Sequence, residues 1–392
     1  LEQGTATSQR RVLVTAISTF VLLGIPMAAL GVAWPSIALD LGKPIADLGI
    51  LILAHVAGYL LVALATGELA RRLGFGWLLV TASVVGAISL AGVAGIPDWG
   101  WMIGAMVLLG FSGGAIDAGL NAYVAVAHRS KAMGLLHAGF GVGAVLGPLL
   151  VTASFALDLP WQVGFWVAVG LQLAVTAALA VVRKAVDAHR PPPAGPRARP
   201  TGSGRALALS LVTFALYAGV EVGTGAWAFS LLTEGRDLDP ALAGLVVSAY
   251  WAALTLARIA LGVLGDRGHP RALLIGSAIT ATFGLTLLWW NPAPWAGPLG
   301  LVIAGVAFGP YFPMQMVLTP LRFGREFMPW MSGYQLAAAS LGAAVVPAGI
   351  GVVVGSAGLE SIPAILVVAT VALVAVTSLL DRPIPTERIV AA

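Results

Sequence analysis

The sequence predicts an all-α membrane protein: twelve transmembrane helices in two six-helix bundles, with both termini in the cytoplasm. Three observations predict it. Of 392 residues, 59% are hydrophobic and only 10% carry a charge, where an ordinary soluble protein has about 25% charged. Too few charges remain to clothe a water-facing surface, so a soluble enzyme is excluded. A spanning helix takes about 20 apolar residues, and twelve apolar runs of that order follow one another along the chain. Glycines and prolines also recur between the two halves at a nearly constant offset. The 49 Gly and 24 Pro suit membrane helices, where small residues allow close packing and neighbours satisfy freed backbone groups. With no cysteine, disulfides, thiol nucleophiles and Cys-ligated metals are excluded.

The first run, 12–34, is too long for a signal-peptide core and lacks a small-x-small site, so it is expected to be a retained helix. Runs at 48–70, 75–96, 99–127, 131–156 and 159–182 complete an N-terminal bundle over 1–182. Residues 183–205, rich in Pro, Gly and Arg and without helical period, form a flexible cationic linker suited to lie beside a bilayer. Runs at 206–232, 240–264, 271–290, 297–320, 330–356 and 359–380 make a C-terminal bundle over 206–392.

Orientation follows from Lys and Arg. Eighteen of them, including Arg10, Arg71, Arg72, Arg183, Arg205, Arg271 and Arg322, fall on one side of this layout, and only Lys43 and Arg236 on the other. Positive charge collects on the cytoplasmic side, so the termini and linker face the cytoplasm of a multi-pass protein in the cell (inner or plasma) membrane. The basic balance thus reflects topology, and no nucleic-acid partner is implied. The partners expected are the bilayer, protons and a small-molecule solute, with the chain a monomer.

Gly67 corresponds to Gly262, and Gly110 and Gly114 to Gly305 and Gly309, at an offset of 195. Gly134, Gly143 and Pro148 correspond to Gly333, Gly342 and Pro347 at an offset of 199. Paired halves of this kind characterise secondary transporters, with a site expected between them near mid-bilayer. Gly262 is expected to let two helices approach.

After the eighth run stands Gly262-Val-Leu-Gly-Asp266-Arg267, and after the second Gly67-Glu68-Leu-Ala-Arg71-Arg72. These resemble the paired loop signature of the major facilitator superfamily, which implies a gating latch made by Glu68, Arg72, Asp266 and Arg267. In the first copy Arg71 stands where the family usually has an acid, with Glu68 one turn earlier. The fourth run, Gly113-Gly114-Ala-Ile-Asp117-Ala-Gly-Leu-Asn121-Ala-Tyr123, is similar to the fucose-permease-like branch. That resemblance implies proton-coupled sugar symport, with Asp117 handling proton and substrate. The chain departs from the branch in having no acid in 12–34. Gly134, Gly143, Gly147 and Pro148 resemble the first part of an antiporter signature, although close packing alone also accounts for them.

Ionisable residues inside spans are costly and mark function by default. Asp117 and Glu221 both fall near mid-bilayer and are the expected proton-coupling carboxyls. Asn121 and Tyr217 lie i±4 from them, on the same helix faces. Asn121, Tyr123, Tyr217, Trp227, Arg258 and His137 are the expected substrate-binding residues, offering amide, phenol, indole and cationic groups to a polar solute. Trp34 and Trp251 are further aromatic faces for stacking. Arg258 either reaches a carboxyl or snorkels to the cytoplasmic face. His55 is a further group able to relay protons. No catalytic set, metal cluster or phosphate loop appears, so neither an enzyme nor a cofactor is expected. The function expected is proton-coupled alternating access for a small, sugar-like polar solute. Proton-driven efflux of amphipathic compounds and a non-transporting receptor or scaffold are the alternatives.

Overall fold

The structure, a computed structural model, describes residues 2–96, 98–127, 130–187, 203–264, 269–324 and 326–380. In chain order the helices are α1 (Glu2–Asp40), α2 (Leu48–Leu73), α3 (Phe75–Gly95), α4 (Trp99–Ala127), α5 (Ser130–Ala156) and α6 (Gln162–Asp187). Then follow α7 (Gly204–Glu234), α8 (Pro240–Leu264), α9 (Pro270–Trp290), α10 (Ala296–Phe308), α11 (Tyr311–Phe323), α12 (Met328–Ala357) and α13 (Ser361–Leu380). Among the described residues there is no strand, and twelve segments are long and apolar enough to cross a membrane.

Three differences from the sequence reading stand out, one being that residues 183–187 and 204–205 of the expected linker belong to α6 and α7, carrying on the helical hydrogen bonds of their spans. The first helix is longer than the run 12–34 and continues through Pro26 and Pro35 to Asp40. The tenth run is not one helix. It breaks at Gly309-Pro310 into α10 and α11, because Pro310 has no N–H for the carbonyl of Val306 and its ring crowds that carbonyl. Pro313 likewise leaves the carbonyl of Gly309 without its usual helical donor.

The chain separates into two compact units, Leu1–Pro193 with Leu232–Ser248, and Ala194–Leu231 with Ala249–Ala392. In the first, α1 packs on α5, α2 on α4 and α3 on α6. Glycines set these distances. A Cβ added at Gly143 would stand 1.9 Å from the Val21 carbonyl, and one at Gly147 2.4 Å from that of Ile25. On the α2–α4 contact, a Cβ at Gly110 would meet the His55 carbonyl at 1.9 Å and one at Gly114 the Tyr59 carbonyl at 2.5 Å.

The second unit repeats the device. A Cβ at Gly305 would meet the Tyr250 carbonyl at 2.4 Å, one at Gly309 the Leu254 carbonyl at 2.7 Å, and one at Gly342 the Ala215 carbonyl at 1.9 Å. Gly305 and Gly309 lie 195 residues beyond Gly110 and Gly114, and Tyr250 and Leu254 lie 195 beyond His55 and Tyr59. The repeat is therefore a repeat of helix contacts as well as of letters. Gly67 and Gly262 behave otherwise: both are exposed, and a Cβ at either meets none of the described residues within 4 Å. Among the described residues, the close approach expected of Gly262 is not made.

Replacing Gly110 with Ala should destabilise the protein by about 1–3 kcal/mol, since backbone lies where the methyl must go. Thermal unfolding in detergent reads this directly, and an unchanged midpoint would contradict the packing described.

The α2–α3 turn needs a single residue. Gly74 takes it with φ 85° and ψ 151°, a region essentially reserved for glycine. The start of α3 is then fastened to the end of α6: Asp187 Oδ1 accepts from the Gly76 N–H at 2.9 Å, satisfying a helix-start donor. Arg183 also lies over the Trp77 ring at 5.0 Å.

Candidate functional site

Each unit holds one polar centre inside its helices. In the first, Asp117 on α4 is half-buried and accepts two hydrogen bonds. Asn121 Nδ2, one turn on, donates to Asp117 Oδ1 at 2.8 Å and to the Asp117 carbonyl at 3.0 Å. The Tyr59 hydroxyl on α2 donates to Asp117 Oδ2. Gly110 and Gly114 bring Tyr59 there, because they allow α4 to close on the α2 backbone at Tyr59. Both donors are neutral. A protonated Asp117 could in turn donate to the phenol oxygen, which both donates and accepts, so this pair accommodates either protonation state.

His137 on α5 is exposed and meets Phe20 edge-on at 5.8 Å. It lies near enough to Asp117 for their charges to interact. Tyr123 is packed into the unit at 1% exposure.

In the second unit Glu221 on α7 pairs with Arg258 on α8, whose Nη2 lies 3.3 Å from Oε2 and 3.4 Å from Oε1. Of the two readings of Arg258, the structure takes the carboxyl. The same Nη2 donates to the Tyr217 hydroxyl at 2.9 Å, and Nε donates to the Gly309 carbonyl at 3.3 Å. That carbonyl is one of those the broken tenth span sets free. Tyr217 donates to the neighbouring Phe308 carbonyl at 3.3 Å and stacks on Tyr311 with centroids 4.8 Å apart. The Tyr250 hydroxyl donates to the Glu221 carbonyl at 2.8 Å.

The tryptophans expected to stack on a solute are buried among the helices. Trp227 is fully buried and its indole donates to the Pro347 carbonyl at 3.0 Å, tying α7 to α12. Trp34, equally buried, donates to the Ile45 carbonyl at 2.7 Å. Trp251 packs over Gly225, where a Cβ would stand 2.3 Å from the indole ring. An indole that holds two helices together is spent on the fold. Contacts with α1 likewise account for Gly143 and Gly147 of the antiporter-like spacing.

Sequence reasoning missed Tyr59, Tyr250 and Tyr311, three of the six tyrosines. The signal for Tyr59 was its place within the second apolar run, since a phenol inside a span needs a hydrogen-bond partner. It also missed the Gln172–Ser83–Thr176 cluster joining α3 to α6, with Gln172 Nε2 2.8 Å from Ser83 Oγ.

At the loop signature, Glu68 binds Arg71 and Arg72 of its own helix, with Arg71 Nε 2.7 Å from Oε2. Its latch partners Asp266 and Arg267 lie outside the described residues. Hydrogen bonds from Arg71 and then Arg72 hold the Glu68 carboxyl below its usual range. A lowered folded value means that the interaction is present above the unfolded value and lost as pH falls through the folded one. Carboxyl NMR should therefore give Glu68 a lower titration midpoint than an exposed glutamate, and Arg71→Gln with Arg72→Gln should restore the ordinary value. Because these groups are exposed, little stability should change.

Twelve spans, an internal repeat and ionisable groups held inside the helices together describe a multi-pass membrane protein on a transporter fold. The family profile of the Major Facilitator Superfamily matches residues 16–232 and 209–391, and the chain belongs to that superfamily. An uncharacterised transporter of this type from Mycobacterium tuberculosis is 30% identical over 190 residues, 45% of this chain and 26% of that protein. Bypass of stop codon protein 6 of Saccharomyces cerevisiae is 25% identical over 158 residues, 38% of this chain and 32% of that protein. These matches span about a third or less of the relatives' own length. Among solved structures, the nucleoside transporter NupG has a TM-score of 0.74 at 14% identity, covering 96% of this chain and 100% of that one. A variant of the Escherichia coli fucose:proton symporter FucP has a TM-score of 0.63 at 14% identity, with coverage of 96% and 100%. At these identities the likeness is one of fold.

Proposed function

We propose that the chain is a proton-coupled secondary transporter of a small polar organic solute, working by alternating access in the cell membrane, with its termini cytoplasmic. Asp117 and Glu221 are the coupling carboxyls, with Asp117 the principal one. The observation that carries this reading is its environment: a half-buried carboxyl in an apolar span, held by the neutral donors Tyr59 and Asn121. Such a group loses and gains a proton as its hydration changes, which alternating access provides. Glu221, paired with Arg258, is the second coupling carboxyl. Hydroxyl-bearing, sugar-like solutes suit the amide and phenol groups around Asp117. The solutes named for the structural neighbours, a sugar with a proton and nucleosides, are of that kind.

Proteoliposomes carrying an imposed pH gradient test this reading. Gradient-driven uptake of at least one member of a panel of sugars, polyols, nucleosides and small organic acids is expected. No gradient-driven flux in either direction across the panel would overturn it.

A further inference from the structure

We propose that Arg258 is the seat for a carboxylate on the transported solute, and that Glu221 is an internal anion occupying that seat until a proton releases it. This assignment presupposes the transporter proposed above and narrows its solute to a small organic acid, such as a sugar acid.

The guanidinium is positioned without help from Glu221. Its Nε is fixed on the Gly309 carbonyl at 3.3 Å and its Nη2 on the Tyr217 hydroxyl at 2.9 Å. Tyr217 is itself fixed by the Phe308 carbonyl and by stacking on Tyr311. Glu221, by contrast, is reached through the single nitrogen Nη2 at 3.3 and 3.4 Å. A tight charge-assisted bond is about 2.7–2.9 Å, and a strong Arg–carboxylate pair uses two parallel bonds. The pair is also not sealed: the Arg258 and Glu221 side chains keep 23% and 12% of their surface exposed. A firmly held cation with a loosely held carboxylate is a place where one carboxylate can replace another.

Charge decides what must accompany the exchange. The empty seat holds Arg258 and ionised Glu221 and is neutral. The loaded seat holds Arg258, the solute carboxylate and protonated Glu221, and is neutral again. An anion arriving without a proton would leave an uncompensated negative charge inside a span, which is strongly disfavoured. Proton and acid therefore enter one for one. The ionisable groups facing the pair are Tyr217 on α7, Tyr250 on α8 and Tyr311 on α11. From α12 and α13, Val346, Ile350 and Leu366 are what meet α7 at Gly219 and Gly223.

The test is equilibrium binding to the full-length protein in nanodiscs, read by thermal shift and calorimetry, with matched pairs: glucose and glucuronate, galactose and galacturonate, glycerol and lactate. At least one acid should stabilise the protein where its neutral counterpart does not. Its Kd should weaken about tenfold per pH unit at alkaline pH, because each anion brings one proton. In Glu221→Gln the amide stands for the protonated carboxyl. That variant should bind the acid at least tenfold more tightly at about pH 8 and lose the pH slope. Arg258→Gln should lose acid binding. The double variant Glu221→Gln with Arg258→Gln carries no unpaired charge and should fold yet fail to bind, which separates a lost seat from a lost fold.

Neutral sugars binding as well as their acids, a pH slope that survives Glu221→Gln, or no response to any acid would each overturn the assignment. Because this assay needs no gradient, its failure is distinguishable from failure of the transporter reading. Neutral-solute accumulation in proteoliposomes would then leave transport standing while the carboxylate seat falls.

Discussion

Asp117→Asn should abolish accumulation of a neutral solute against a gradient while binding and equilibrative exchange partly persist. The asparagine keeps the volume and keeps an oxygen to accept from Asn121. Its amide nitrogen can donate to the Tyr59 oxygen, so the α2–α4 contact is not disrupted. What is removed is the ability to carry a proton. With one proton per solute, a gradient of one pH unit supports about tenfold accumulation, equivalent to about 1.4 kcal/mol. The native protein should approach that ratio for a neutral solute in proteoliposomes, and the variant should stop near unity, whereas an acid seated on Arg258 still brings the proton taken up by Glu221. If Asp117→Asn still concentrates solute with the native pH dependence, the principal coupling site lies elsewhere, and Glu221 and then His137, within electrostatic reach of Asp117, are the next residues to replace.

The second large effect is on stability, and it should be asymmetric. Glu221→Gln leaves Arg258 with a charge it cannot lose and no carboxylate to balance it. Breaking a buried pair costs about 3–5 kcal/mol, and the partial exposure of this one places the loss near 3 kcal/mol. Arg258→Gln leaves a carboxyl, which can neutralise itself by taking up a proton, so its loss should be smaller. The double replacement should recover most of both losses, since removing both members of a buried pair is often near neutral. Thermal unfolding of the four proteins in one detergent measures the cycle. Glu221→Gln unfolding no earlier than Arg258→Gln would contradict it.

Relations along one helix were legible in the sequence, and relations between helices were not. The Asp117–Asn121 bond follows from i,i+4 spacing. Tyr59, 58 residues away in sequence, is joined to Asp117 only by the packing of Gly110 and Gly114 on α2. Those glycines were visible as repeat positions, but their spacing does not say which helix they press against. Arg258 was readable as a costly charge, while its choice of Glu221 over the membrane surface depends on where α7 and α8 face each other. The aromatic residues show the same limit. Trp227 and Tyr123 have side chains able to line a solute path, and only the packing shows that both are buried. The break in the tenth span, by contrast, was written in Gly309-Pro310 and Pro313 and was passed over because the run is evenly apolar.

That break has a consequence for how this protein can change. The grip on Arg258 comes partly from the Gly309 carbonyl, and Tyr217 is steadied by that of Phe308, so the cation rests on main chain that no side-chain substitution deletes. Residues around it can be exchanged one at a time without losing the anchorage of the charge. The sensitive positions are instead Pro310 and Pro313: a replacement at Pro313 that supplies an N–H would offer the Gly309 carbonyl an ordinary helical partner and draw it away from the guanidinium. Selectivity can thus drift through Glu221 and its neighbours, while the capacity to hold a negative group is inherited with the shape of the backbone.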